Sequence, residues 1–177
     1  PVPWCPSGFY CAAADQPGKH AWHAAGVYYL QDPSAMAVAA LAAPQPGERV
    51  LDLCAAPGGK ATHLSALMQD SGLLVANEVH PTRAKILGEN LERWGSKNAI
   101  ITSTQPAALT SHFGPYFDCV VVDAPCSGEG MFRKDEIARQ QWNEAQVRSC
   151  AATQIEILQA AYQMLAPGGR LVYSTCT

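Results

Sequence analysis

Leu51-Asp52-Leu53-Cys54-Ala55-Ala56-Pro57-Gly58-Gly59-Lys60 is the stretch whose reading decides the fold. A short apolar run at 49–53 stops at a Gly-Gly turn and gives way to a helical pattern over 59–69. Glycines after a first strand let a ligand approach the backbone closely, ahead of a helix start that favours negative charge. A phosphate-binding loop of the G-x-x-x-x-G-K-[ST] kind would need glycine where Cys54 stands and Ser or Thr where Ala61 stands. G-x-G-x-x-G is absent as well, which disfavours a dinucleotide pyrophosphate.

Strands and helices continue to alternate from there. Further strands are expected at 73–77, 99–102, 117–122 and 170–173, and helices at 82–94 and 144–165, the last closed by Pro167-Gly168-Gly169. In the last helix Val147, Ala151, Ile155, Leu158, Tyr162 and Leu165 recur at helical spacing. This alternation implies an α/β fold with a mostly parallel, twisted sheet flanked by helices, a Rossmann-like arrangement. Residues 1–47 differ in composition, rich in proline and aromatic turns. They read as a lead-in, with a strand at 27–30 and a helix at 34–43, packed on a core that runs from 48 to 177.

In open parallel sheets ligands bind beyond the carboxyl ends of the strands. Here those ends carry Cys54–Lys60, Glu78, Asp123-Ala-Pro-Cys126-Ser-Gly-Glu-Gly130 and Ser174-Thr-Cys176-Thr177. An acidic side chain ending the second strand can accept hydrogen bonds from both hydroxyls of a ribose, which is the role expected of Glu78. A cofactor with one ribose, one carboxylate and no phosphate fits both the turn and Glu78, and S-adenosylmethionine is such a molecule. Pro125 fixes the turn that presents Cys126. If the fourth and fifth strands are neighbours, Cys126 and Cys176 stand side by side at the cofactor cleft. Cys54, Cys119 and Cys150 read as small buried hydrophobes.

Composition narrows the rest. The chain has 177 residues, 48% of them apolar and 15% charged, which suits one folded domain. No apolar run approaches the ~20 residues of a bilayer span, so no membrane partner is expected. Seven cysteines without a C-x-x-C pair argue for reduced thiols, a cytosolic setting and no zinc site. His20 and His23 lie in the lead-in with no further ligands at zinc spacing, and read as turn packing or part of a substrate mouth. A net charge of −3 is low for a free-standing nucleic-acid binder, whose affinity rests largely on phosphate neutralisation.

Three motifs together resemble the Nol1/Nop2/Sun family of RNA cytosine-C5 methyltransferases: Cys-Ala-Ala-Pro-Gly-Gly-Lys at 54–60, Asp-Ala-Pro-Cys-Ser-Gly at 123–128 and Ser-Thr-Cys-Thr at 174–177. Pro-Gly-Lys-His at 17–20, Gln-Asp-Pro-Ser-Ala-Met at 31–36 and Gly-Glu-Gly-Met-Phe-Arg-Lys at 128–134 look like its bacterial 16S ribosomal-RNA branch. The resemblance implies a Rossmann-like class I methyltransferase core. In it Cys54, Ala55, Ala56, Pro57, Gly58, Gly59, Lys60, Glu78, Arg83 and Asp123 hold S-adenosylmethionine. It also implies that Cys176 attacks C6 of cytosine, that Cys126 assists breakdown of the adduct, and that Asp123 and Lys60 support the developing charge. The target base must leave its stack to reach such a pocket. The implied partner is ribosomal RNA, met by a monomer, with Arg133-Lys134 as the expected phosphate contact.

The chain departs from the pattern in two places. Where many relatives carry an acidic residue after the third strand, it has Thr102-Ser103-Thr104-Gln105, which leaves the adenine contact unassigned. It also stops one residue past Cys176, where relatives continue with two more strands, so an open sheet edge is expected beside the fifth strand. A fragment that binds cofactor and RNA without catalysis is therefore the alternative. An amino- or protein-methyltransferase is disfavoured, because its Asn/Asp-Pro-Pro-Tyr is replaced by Asp123-Ala-Pro-Cys126.

Overall fold

The computed structural model describes residues 1–132 and 136–177. After 3-10 turns at Ala13–Asp15 and Pro17–Lys19, the chain runs through helices α1 (Ala21–Ala24) and α2 (Pro33–Ala42). It then alternates through β1 (Arg49–Asp52), α3 (Gly59–Met68), β2 (Leu73–Asn77), α4 (Pro81–Trp94), β3 (Ala99–Thr102), α5 (Pro106–Phe113) and β4 (Phe117–Asp123). A 3-10 turn at Glu129–Met131 leads to α6 (Glu136–Gln141), α7 (Glu144–Met164) and β5 (Leu165–Ser174).

The sheet is parallel throughout, in the order β3-β2-β1-β4-β5. β1 is central, pairing Val50 with Leu74 on one side and with Cys119 on the other. The chain leaves β1 first toward β2 and β3 and later toward β4 and β5, so the switch point lies between β1 and β4. Cys54 and Cys126 follow the ends of these two strands, and Asp123 is the last residue of β4.

Side chains alternate across a strand, and the core is split accordingly. Val50, Leu74, Ala76, Cys119 and Val121 face α2, α3 and α4, where Val38, Leu64, Met68, Leu87 and Leu91 cover them. Leu51, Leu53, Val75, Val120 and Val122 face α5 and α7, against Leu109, Ile157, Ala161 and Met164. Burial on both faces explains why β4 reads as a continuous apolar run. The lead-in helix α2 is integral to the first layer, since Ala39 and Ala42 are fully buried. Arg170 of β5 ties it down, donating from Nη2 to the Ala43 carbonyl at 3.1 Å and to Glu48 Oε2 at 2.6 Å, and from Nε to the Ala42 carbonyl.

Several details differ from the sequence reading. Residues 27–30 form no strand: Val27 N–H closes back on the Trp22 carbonyl at 3.0 Å, and the segment joins no ladder. Next, α7 stops at Met164 rather than at Pro167-Gly168-Gly169. Those residues lie inside β5, where the pairing shifts register between Phe117 and Cys119 and Gly168 takes φ +80°. The apolar stripe of α7 also faces outward, with Ile155 58% and Tyr162 74% exposed. Ile157, Ala161 and Met164 make the contact with the sheet instead. Finally, α5 was not anticipated, although Pro106 at its first position is a start signal. Arg133-Lys134 lies outside the described residues.

Candidate active site

The carboxyl ends of β1, β2 and β4, the start of α5 and one face of α7 enclose a cleft of about 480 Å³, within the range that holds a small cofactor. Cys54, Ala56, Glu78, Arg83, Asp123 and Cys126, all expected site residues, line it. So do Gln105, Pro106 and Ala107, and Thr153, Glu156, Ile157 and Ala160 of α7, none of which the sequence reading had placed there. The α7 residues recur every three or four positions, but on a more polar face than the apolar stripe of that helix.

Backbone bonding fixes the loop after β1. Ala55 N–H donates to the Asn77 carbonyl at 2.8 Å, Asn90 donates to the Pro57 carbonyl at 2.7 Å, and Arg83 to the Ala56 carbonyl at 3.0 Å. Gly58 has φ +116°, and any Cβ there would press on Leu87 and Asn90. Ala55, Pro57, Gly58, Gly59 and Lys60 thus shape the loop without lining the cleft, and Gly59 instead borders a smaller pocket against Tyr29 and Gln31. His20 accepts a hydrogen bond from Trp22 N–H to begin α1, and His23 packs against Tyr28.

Glu78 is buried at the β2 end. Its Oε1 accepts from His80 N–H at 3.0 Å and its Oε2 meets Arg83 Nη1 at 3.2 Å. Asp123 accepts from Lys60 Nζ at 2.7 Å and from Ser174 Oγ at 2.8 Å, so β4, β5 and α3 are tied at one carboxylate. Asp52, which the sequence reading passed over, is fully buried, and neither carboxylate oxygen has a partner among the described residues. Burial pushes its carboxyl up to about 7, against the pull of Lys60. An orphaned acid near the buried Glu78 is what a cofactor carrying both a positive charge and hydroxyl donors would satisfy. The residues present fit S-adenosylmethionine.

The two thiols meet. Cys126 Sγ and Cys176 Sγ are 2.7 Å apart, because β4 and β5 are neighbours and Ala124 N–H holds the Ser174 carbonyl at 2.8 Å. Burial pushes the Cys126 thiol up, but hydrogen bonds from Cys176, Thr177, Thr175 and the Gly128 backbone bring it below the ordinary value. Cys176 is raised to about 11, by burial first and then by Cys126. Of the two sulfurs, Cys126 is thus the one on which these bonds favour the thiolate, and Cys176 the one held as a thiol. Burial lifts Cys54 to about 12 and Cys119 to about 11; Cys119 is buried as expected, whereas Cys54 is only half-buried and lines the cleft.

Among the basic residues, Lys85, Lys97 and Arg148 are solvated, each beside an acid, whereas Arg93 donates to the His23 carbonyl at 2.7 Å and is structural. No helix among the described residues is long and apolar enough to cross a membrane.

Comparison with known proteins accords with this geometry. Residues 39–177 match the family model of the 16S rRNA methyltransferases RsmB/F, and residues 1–33 match the N-terminal domain of 16S rRNA methyltransferase RsmF. Ribosomal RNA small subunit methyltransferase F of Vibrio vulnificus is 44% identical over the whole chain, which spans 39% of that relative's length. The crystal structure of NSun6 from Pyrococcus horikoshii with SFG superposes with a TM-score of 0.81, at 28% identity over 90% of this chain and 41% of that one. A methyltransferase homologue from Pyrococcus horikoshii gives 0.78, at 31% identity over 99% of this chain and 55% of that one. The chain belongs to the RsmB/F family of 16S rRNA methyltransferases.

Proposed function

We propose that the chain is the catalytic core of an RNA cytosine-C5 methyltransferase acting in the bacterial cytoplasm on 16S ribosomal RNA, with Cys176 as the covalent nucleophile. The observation that carries this reading is the thiol pair, 2.7 Å apart, next to the Lys60–Asp123 pair at the lip of the cofactor cleft. A direct transfer to an amine or hydroxyl would have no use for two thiols. C5 of cytosine is a poor carbon nucleophile, and a thiolate added at C6 makes it an enamine-like one.

S-adenosylmethionine supplies the methyl group from a sulfonium centre. Glu78, held by His80 N–H and Arg83, would accept the ribose hydroxyls, and Asp52 would offset the cofactor's positive charge. Asp123 would accept from the amino edge of the base, while Lys60 meets the negative charge that builds on the ring. Cys126 lies within proton-transfer distance of Cys176. It would take the Cys176 proton as the sulfur–carbon bond forms and release it to solvent. After methyl transfer, as a thiolate again, it would accept the C5 proton while the C5=C6 bond re-forms and Cys176 leaves with the sulfur–carbon electron pair.

The test is Cys126→Ala protein mixed with 16S ribosomal RNA and S-adenosylmethionine. A protein–RNA band stable to denaturing gels is expected, and Cys176→Ala should give neither band nor methylation. Methylation that persists in Cys176→Ala overturns the mechanism. Cofactor binding without methyl transfer by the unaltered protein supports the alternative, a cofactor- and RNA-binding fragment.

A further inference from the structure

Neither thiol of the pair belongs to a regular element. Cys126 lies three residues beyond the end of β4, in a stretch without helix or strand, and Cys176 lies two residues beyond the end of β5. A sulfur at a loose end samples many positions unless something outside its own segment holds it. One side chain spans both segments. Glu129 accepts from Ser127 Oγ at 2.9 and 2.8 Å, beside Cys126, and from Thr177 Oγ1 at 2.6 Å, beside Cys176. A third partner, Trp142 Nε1, donates to it at 2.8 Å from the linker between α6 and α7. The backbone repeats the tie, since Gly130 N–H donates to the Cys176 carbonyl at 2.9 Å. Bonds from Thr177, then Ser127 and Trp142, hold the Glu129 carboxyl at about 2, so it is an ionised acceptor at any working pH.

From this geometry we infer that Glu129 is a positioning residue: it clamps the Cys126 loop to the Cys176 strand end and so sets the contact between the two thiols. The inference rests on the catalytic reading of that pair. Glu129 touches neither sulfur and is not a catalytic residue. Its role is to bring the two Sγ atoms together, and through Trp142 it anchors the start of α7, another wall of the cleft. Three hydroxyl or indole donors converge on its two oxygens, and none of them is itself charged. A glutamine has the same length, and its amide can donate to Thr177 while its oxygen accepts from Trp142.

The experiment compares unaltered protein with Glu129→Ala, Glu129→Gln, Trp142→Phe and Thr177→Val by two readouts. One is methyl transfer to 16S ribosomal RNA. The other needs no catalysis: the rate at which diamide joins Cys126 to Cys176, scored by mass spectrometry. In that step the two thiols lose two protons and two electrons and the diazene is reduced to the hydrazine. Glu129→Ala is expected to lower kcat on the order of 100-fold, the scale of an ångström-sized misplacement. The KM for S-adenosylmethionine should stay within about twofold, and the crosslinking rate should fall about tenfold as the effective thiol concentration drops. Glu129→Gln should keep most of both rates, and Trp142→Phe and Thr177→Val should fall between. Crosslinking at the unaltered rate in Glu129→Ala overturns the inference. So does a loss that Gln fails to rescue, which would mark a charge effect. If Glu129→Ala does not fold, the Trp142 and Thr177 variants decide by the same rates. Should the unaltered protein transfer no methyl group, the proposed function falls, and the crosslinking rates still decide the clamp.

Discussion

Asp52 sits between Lys60, Asp123 and Glu78 with both oxygens buried and unpartnered among the described residues, and burial raises its carboxyl to about 7. The unfolded chain releases that proton near pH 4, so between pH 4 and 7 the folded state binds one more proton than the unfolded one. Stability therefore falls as pH rises through this window, by on the order of 2–4 kcal/mol. Asp52→Asn is expected to raise the melting temperature at pH 8, leave it little changed at pH 4, and weaken S-adenosylmethionine binding; calorimetry at the two pH values checks this. Asp118 has the opposite sign. Hydrogen bonds from Arg49 hold it at about 2, so its contribution is present above pH 4 and is lost as pH falls toward 2.

At the scale of elements, the C-terminus of α2 is held by an unusual compromise. Ala43 takes φ +41°, a conformation that suits glycine, while Arg170 occupies the last carbonyls of the helix. Ala43→Gly should stabilise the protein by about 0.5–1 kcal/mol in urea titration, by relieving that strain. Leu51→Ala, in the centre of β1 and fully buried, should cost about 2–5 kcal/mol. The first four strands and α3 and α4 were legible because apolar runs and turn residues agree along each of them, whereas Pro167-Gly168-Gly169, read as the stop of α7, lies inside β5. The 27–30 strand was misread because Val27-Tyr-Tyr-Leu30 has strand composition but no sheet partner, a fact that tertiary structure alone supplies. The wall of α7 was missed for a related reason. Its outward apolar stripe has the stronger period, while its inner face mixes Ile157 and Met164 with the small Ala160 and Ala161.

At the scale of the whole molecule, one edge of a parallel sheet gathers a loop from β1, a carboxylate from β2, an Asp and a thiol from β4 and a second thiol from β5. The sequence placed these groups at strand ends. What it could not provide was Asp52, which looks like any strand residue until its burial is known, or Glu129, whose three partners come from separate segments. The most direct test of the covalent reading is peptide mapping of the species trapped when Cys126→Ala protein meets 16S ribosomal RNA and S-adenosylmethionine. After ribonuclease digestion the added nucleotide mass is expected on Cys176 and on no other cysteine. Nucleotide mass on Cys54 or Cys150, or full methyl transfer by Cys176→Ala with no trapped species, would contradict the account.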